Sequence, residues 1–347
     1  MIKSLTSLRG IFILFIFFHH CLGNYPGGGS MGTTFFFVLG GFSMALGYKD
    51  RVCQFDFSYR KYLTRRIIKF YPLHWMCLLA AVPFIMMSFN MKQVPVFLIN
   101  AALLQTLIPI KEIYFSFNAV SWYLADTMIF AIVFPFVFKW INSKSKSGRF
   151  IIAVSIAILY VIMAVFLPND YRHAFLYISP FVRITDFIFG IFLALGYLKF
   201  QESGNKEKLR NGTVYQVMVL VFVALLLVES VALPSTYRIM APVYWPLVAI
   251  TVLLASLSDR NGGGILLENK IFQKLGELSF TIFLTHQLII RYNSILFEKI
   301  LHLDKNIIFV IFTLLLTIVV SYLVERFIIT PITQWLTKKI QPSMTAP

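Results

Sequence analysis

Val94–Ile110 reads VPVFLINAALLQTLIPI, and whether this stretch crosses a membrane decides the topology of the whole chain. It is short, and it carries Asn100 and Gln105 in its middle. Outward from it, apolar segments recur nearly end to end, at 8–24, 33–48, 67–89, 94–110, 119–140, 150–167, 174–198, 214–232, 239–258, 278–298 and 306–329. Each is near the roughly 20 residues that a bilayer requires. If every one crosses in alternation from a cytoplasmic N-terminus, the loop with Lys139, Lys144, Lys146 and Arg149 falls outside. That opposes the tendency of Lys and Arg to stay in cytoplasmic loops. If 94–110 instead dips into the outer side and returns, sheltered by protein, the charges sort cleanly. Of the 31 basic residues, 22 then lie inside, and Lys92, Lys111, Arg172, Arg238, Lys299 and Lys305 lie outside. Arg9, Arg183 and Arg291 remain within the membrane. The expectation is an all-α integral membrane protein of about ten transmembrane helices plus a re-entrant helix, with both termini cytoplasmic. Residues 1–340 form one polytopic domain, and 341–347 a short tail.

Composition leads to the same class. The 347 residues are 58% hydrophobic and 13% charged, and the mean hydropathy is +0.77. Soluble domains average about 45–50% apolar and about 25% charged. An ordinary soluble enzyme, a disordered chain and a secreted disulfide scaffold are excluded. The net charge of +16 also fits a nucleic-acid binder, but its basic residues are spread over many loops and no soluble domain gathers them. Cys21, Cys53 and Cys77 give neither a disulfide framework nor a zinc spacing. Lys3 and the apolar run Gly10–Phe18 imitate a signal peptide. A small-x-small cleavage site is lacking, so the run reads as a retained first helix.

Ionisable groups inside spanning helices are costly and mark functional sites by default. They are Arg9, His19, His20, Asp126, Arg183, Asp186, His286, Arg291 and Glu325. Arg9 and His20 are eleven residues apart, about three turns, so they share one face at roughly 16 Å along the axis. His20 is either a general base, since imidazole titrates near neutrality, or a satisfied polar group at the outer interface. Arg65, Arg66 and Lys69 stand at the cytoplasmic start of the third helix. They suit a phosphate-bearing ligand, and equally a topology signal or an anionic-lipid contact. Arg183 and Asp186 share a face, as an ion pair or as the lining of a cavity. His286 lies near mid-membrane as either a structural or a functional group. Arg291 is placed to snorkel, and Glu325 reads as structural. No metal-ligand spacing occurs. A chain of ionisable groups thus links a basic cytoplasmic patch to a His-containing outer region. A transmembrane group-transfer enzyme and a glycolipid transporter or flippase both fit.

Several motifs, in order, resemble the membrane-bound acyltransferase-3 family of bacterial acyl transferases. Ser7-Leu8-Arg9-Gly10 followed by His19-His20 is similar to its N-terminal signature, an Arg and a His with ten residues between. Phe35–Phe42 resembles its Phe-rich run, with Gly40 in place of the usual Ser. Arg65–Pro72 resembles its basic motif, with Lys69 where the last Arg usually stands. Trp122-Tyr123-Leu124 resembles its Trp-x-Leu stretch; many members carry Glu five residues after the Trp, where this chain has Thr127 with Asp126 beside it. Arg183–Gly190, Gly276–His286 and Val324-Glu325-Arg326 with Pro331 resemble the later motifs.

The resemblance implies acyl transfer, most often of acetyl from cytoplasmic acetyl-CoA, to a hydroxyl of a glycan or glycolipid outside the bacterial cytoplasmic membrane. It implies that Arg65, Arg66 and Lys69 hold the CoA phosphates and that Arg9 positions the CoA arm. His20 takes the hydroxyl proton, directly or with an acyl-His20 intermediate. Asp126 and His286 complete the catalytic set and, with Arg183, shape the acceptor end, and Trp122, Arg183 and Asp186 bind the acceptor. The implied partners are acyl-CoA, the sugar acceptor and membrane lipids, without nucleic acid and without a metal; a homo-oligomer is left open. Many members carry an extra esterase-like domain that is not seen here, so the domain is expected to act alone or with a separate partner.

Overall fold

The computed structural model describes residues 2–23, 29–86, 90–202, 212–260, 264 and 266–340. The expected inside charges Lys206, Lys208 and Arg210, and the tail 341–347, lie outside those residues. The described chain is helical throughout. The elements are α1 (Lys3–Cys21), α2 (Ser30–Val52), α3 (Tyr59–Met86), α4 (Gln93–Ala101), α5 (Lys111–Tyr114), α6 (Ser121–Asn142), α7 (Lys146–Phe166) and α8 (Asn169–Arg172). They continue with α9 (Pro180–Glu202), α10 (Gly212–Ala232), α11 (Ser235–Arg238), α12 (Ala241–Arg260), α13 (Lys270–Ile295), α14 (Ile307–Val324) and α15 (Thr330–Ile340). A π-turn at Glu325–Ile329 joins α14 to α15 as one rod.

Among the described residues, nine helices are long and apolar enough to cross a membrane, the α14–α15 rod counting as one. One more helix crosses, α13, the ninth crossing in chain order and the one before the rod. At 26 residues it is long enough, but Lys270, Lys274, Glu277, His286 and Arg291 make it too polar to stand out by hydropathy alone. It begins well before the apolar run at 278–298, and there Lys274 and Glu277 pair with each other at 3.0 Å on an exposed face. Three side-chain pairs join α13 to the α14–α15 rod: Thr281 to Glu325 of the π-turn, and Thr285 to Ser321 and Asn293 to Thr313 of α14. Rising numbers on one helix meet falling numbers on the other, so the two are antiparallel. Hydroxyl and amide pairs of this kind are the usual polar contacts between helices in lipid.

Two other helix pairs pack backbone to backbone at glycines. A Cβ on Gly276 would fall 1.8 Å from the Thr6 carbonyl oxygen, and one on Gly10 would fall 2.6 Å from that of Phe272. A Cβ on Gly41 would fall 1.9 Å from the Phe187 carbonyl oxygen, and one on Gly190 2.0 Å from that of Val38. Only glycine permits such approach, the small-residue device of membrane helix interfaces. The contacts also give direction. Gly10 meets Gly276, and ten residues later on both helices His20 meets His286, so α1 and α13 are parallel. Thr34 meets Arg183 and Phe42 meets Tyr197, so α2 and α9 are parallel.

This parity settles the stretch 94–110. If α4 crossed, α13 would be the tenth crossing and would run opposite to α1. It runs parallel, so α4 does not cross. Its nine residues are also too short, at about 1.5 Å each, to span the hydrocarbon. Helix ends leave carbonyls unpaired, which is costly in a membrane. Here α3 supplies the donors from one face. His74 Nε2 meets the Asn100 carbonyl at 2.8 Å, Trp75 Nε1 donates to that of Ala101 at 3.0 Å, and the Tyr71 hydroxyl donates to that of Ala102 at 3.1 Å. The polar residues that weaken the segment as a span are used inward: Asn100 Nδ2 donates to Ser116 and Gln105 Nε2 to Ser121.

Candidate functional site

The parallel pair α1–α13 carries the candidate residues at two levels. At the basic end, Arg9 of α1 meets Arg65, Arg66 and Lys69 of α3 around a cavity of about 480 Å³. The spacing within α3 puts three cations on adjacent turns, and the fold adds Arg9 from a different helix. Arg66 is steadied between aromatic faces, its guanidinium carbon 5.0 Å from the Tyr48 ring centre and 5.3 Å from that of Tyr62. Lys69 is within electrostatic range of Arg66, Arg9 and Glu325. Four cations thus line one cavity.

Away from the cations the cavity is lined by Gly40, Leu124, Thr127 and Ser279, and it ends at Phe36, Tyr123 and Phe283. Gly40 thus widens this passage where the family usually has Ser. Tyr123 stacks on Phe37 at 4.4 Å and meets Phe283 at 4.9 Å between ring centres. One turn beyond Phe283 is His286, the two rings 5.9 Å apart.

The second level is a histidine pair. The His20 and His286 rings are 5.2 Å apart, and His19 is 5.2 Å from His20. His286 is fully buried, with Nδ1 3.0 Å from the Ile282 carbonyl. A carbonyl only accepts, so Nδ1 carries the proton and Nε2 is the bare nitrogen. That Nε2 is buried with no hydrogen-bond partner among the described residues. His20 opens on the other side to a hollow of about 530 Å³, which also meets Ser294, Lys305 and Asn306.

The other candidates are placed elsewhere. Arg183 and Asp186 are both fully buried and form an ion pair at 3.0 Å. Arg183 also donates to Thr34, Trp245 Nε1 donates to Asp186 at 2.6 Å, and the guanidinium lies 5.0 Å from the Phe37 ring. The pair ties α2, α9 and α12 together and borders none of the cavities above. Trp122 is buried between Phe37 and Tyr177. Asp126 is fully buried with Thr106 beside it, and neither histidine is among its charged neighbours. Arg291 stacks on Phe84 at 3.9 Å and donates to the Phe117 carbonyl.

Sequence reasoning missed Tyr123 and Phe283, which end the basic cavity, and His74, which caps α4. Tyr123 and Phe283 were present in the motifs, but their meeting requires the α6–α13 contact. Glycine at ten residues before each histidine, on two helices, is a signal that could have paired α1 with α13.

The sequence profile of an acyltransferase domain matches residues 2–326. The chain belongs to the acyltransferase-3 family. Among curated proteins, acyltransferase MdmB of Streptomyces mycarofaciens is 27% identical over 287 residues, which cover 76% of this chain and 69% of that protein. No solved structure matches.

Proposed function

We propose that this acyltransferase moves an acyl group, acetyl in the simplest case, from cytoplasmic acyl-CoA to a hydroxyl of an extracytoplasmic glycan or glycolipid. The basic end faces the cytoplasm of a bacterial cell, as the loop charges favour. Arg9, Arg65, Arg66 and Lys69 hold the CoA phosphates, and the pantetheine arm follows the cavity toward Phe36 and Phe283. Those rings turn aside to let the thioester reach His20. The observation that carries this reading is the α1–α13 pairing, which joins a phosphate-type site to a histidine pair through one helix face.

Neutral His20 accepts the proton of the acceptor hydroxyl as its oxygen attacks the thioester carbonyl. The carbon–sulfur bond then breaks, and the CoA thiolate leaves with a proton from His20. His286, held by Ile282, fixes the orientation of His20 across the ring contact. The aromatic end of the cavity keeps water from the thioester between turnovers. The hollow beside Ser294, Lys305 and Asn306 admits the acceptor.

The test is acetyl-CoA-dependent O-acetylation of a surface glycan by a folded His20→Ala variant. The proposal expects a loss of two to four orders of magnitude, the scale of general-base catalysis. Undiminished transfer would remove His20 from the mechanism.

A further inference from the structure

The cations of the basic cavity also face a second one. Arg9, Arg65 and Lys69 border a hollow of about 430 Å³ between α3, α13 and the α14–α15 rod. Its far wall carries Glu277, Glu325, Thr333 and Thr337. Glu325, Ile329, Thr333 and Thr337 recur every fourth residue and form one stripe on the rod. Thr333 and Thr337 lie beyond residue 326, where the family match ends.

The two hollows differ in chemistry. The first is bordered away from its cations by the aromatic rings of Phe36, Tyr123 and Phe283 and suits an apolar, extended arm. The second presents hydrogen-bond acceptors. Thr333 donates its hydroxyl hydrogen to the Thr330 carbonyl, Thr337 to that of Thr333, and Thr281 to Glu325. The threonines therefore offer lone pairs to the hollow, beside two carboxylates. A ligand that fits both spaces has phosphates in its middle, a slender arm on one side and a donor-rich group on the other.

We propose that this second hollow is the nucleoside subsite of the donor, taking the adenosine end of acyl-CoA while its phosphates rest on the shared cations. The inference builds on the reading of acyl-CoA as donor. The adenine amine and the free ribose 2′-hydroxyl meet the threonine lone pairs and the carboxylates, the ribose 3′-phosphate turns to the shared cations with the diphosphate, and the pantetheine enters the first cavity. An anionic lipid headgroup is the competing phosphate-bearing occupant. Its phosphate would find the same cations, but its small headgroup brings no adenine amine to the threonine wall.

The experiment compares acetyl-CoA with S-acetyl-4′-phosphopantetheine, which lacks the nucleoside, as donors for the full chain in nanodiscs. Thr333→Val/Thr337→Val removes two acceptors with little change of shape. The KM for acetyl-CoA is expected to rise about tenfold at unchanged kcat, the scale of one or two hydrogen bonds. The KM for the truncated donor stays constant. Thr337→Trp, which fills the hollow, abolishes the preference for acetyl-CoA over the truncated donor. The inference is overturned if both donors respond equally, if neither responds, or if the effect disappears when phosphatidylglycerol is left out of the nanodiscs. Wild-type protein that uses no CoA ester refutes the donor reading itself. Wild-type protein that uses acetyl-CoA, with both variants unaffected, refutes the nucleoside subsite alone.

Discussion

The α1–α13 contact positions the histidine pair, and Gly276→Ala attacks it directly. The added Cβ would lie 1.8 Å from the Thr6 carbonyl oxygen, where ordinary contact begins at 3.4 Å. The helices must therefore part or tilt by about 1.6 Å at this point. Both partners are backbone, so no side chain can swing away. Overpacking of this kind typically costs about 1–3 kcal/mol. The larger effect is on geometry. His20 and His286 sit about 15 Å further along the same two helices, and a misplacement of 1 Å can cost a reaction roughly 100-fold. The control is Gly196→Ala, where nothing lies within 4 Å of the new Cβ. That change is expected to be neutral or to stabilise its helix by roughly 0.5–1 kcal/mol. Initial rates of acyl transfer and thermal melting in detergent read both effects. Wild-type rate and melting temperature for Gly276→Ala would refute the claim that this contact holds the site.

Other perturbations separate structure from chemistry. Asp186→Ala leaves Arg183 buried and unpaired, and should lower stability by about 3–5 kcal/mol, seen as loss of folded protein in detergent; replacing both by apolar residues should recover much of it. His74→Leu removes one donor from the end of α4 and should lower stability by about 0.5–1.5 kcal/mol, with KM for the donor unchanged in steady-state assays. Arg66→Leu, by contrast, should raise the donor KM roughly 10- to 100-fold, the worth of a charged hydrogen bond, and leave the melting temperature near wild type.

Much of this arrangement was legible before any coordinates. The charge distribution alone demoted 94–110, and the parallel α1–α13 pair requires the same result. Arg9 and His20 belong to one helix, so their shared face and separation follow from helical geometry. The grouping of Arg65, Arg66 and Lys69 follows for the same reason. What spacing does not determine is which helices touch. The resemblance grouped Asp126 with the histidines, yet in the fold α6 turns it toward Thr106. Arg183 and Asp186 could be read as an ion pair from their three-residue spacing, but their tie to Trp245 of α12 could not. Glu325 reads as a structural end-of-helix charge; that it also borders a hollow shared with Arg9, Arg65 and Lys69 depends on the π-turn and the packing of the rod.

The central claim is that the acyl group passes from the basic end to the histidine end. Sided proteoliposomes test it most directly, with the face bearing Arg65 and Arg66 supplied with labelled acetyl-CoA and the opposite face with the acceptor. The account predicts labelled acceptor in that arrangement only, and loss of label with His20→Ala. Equal labelling when donor and acceptor are both confined to the His20 face would contradict it.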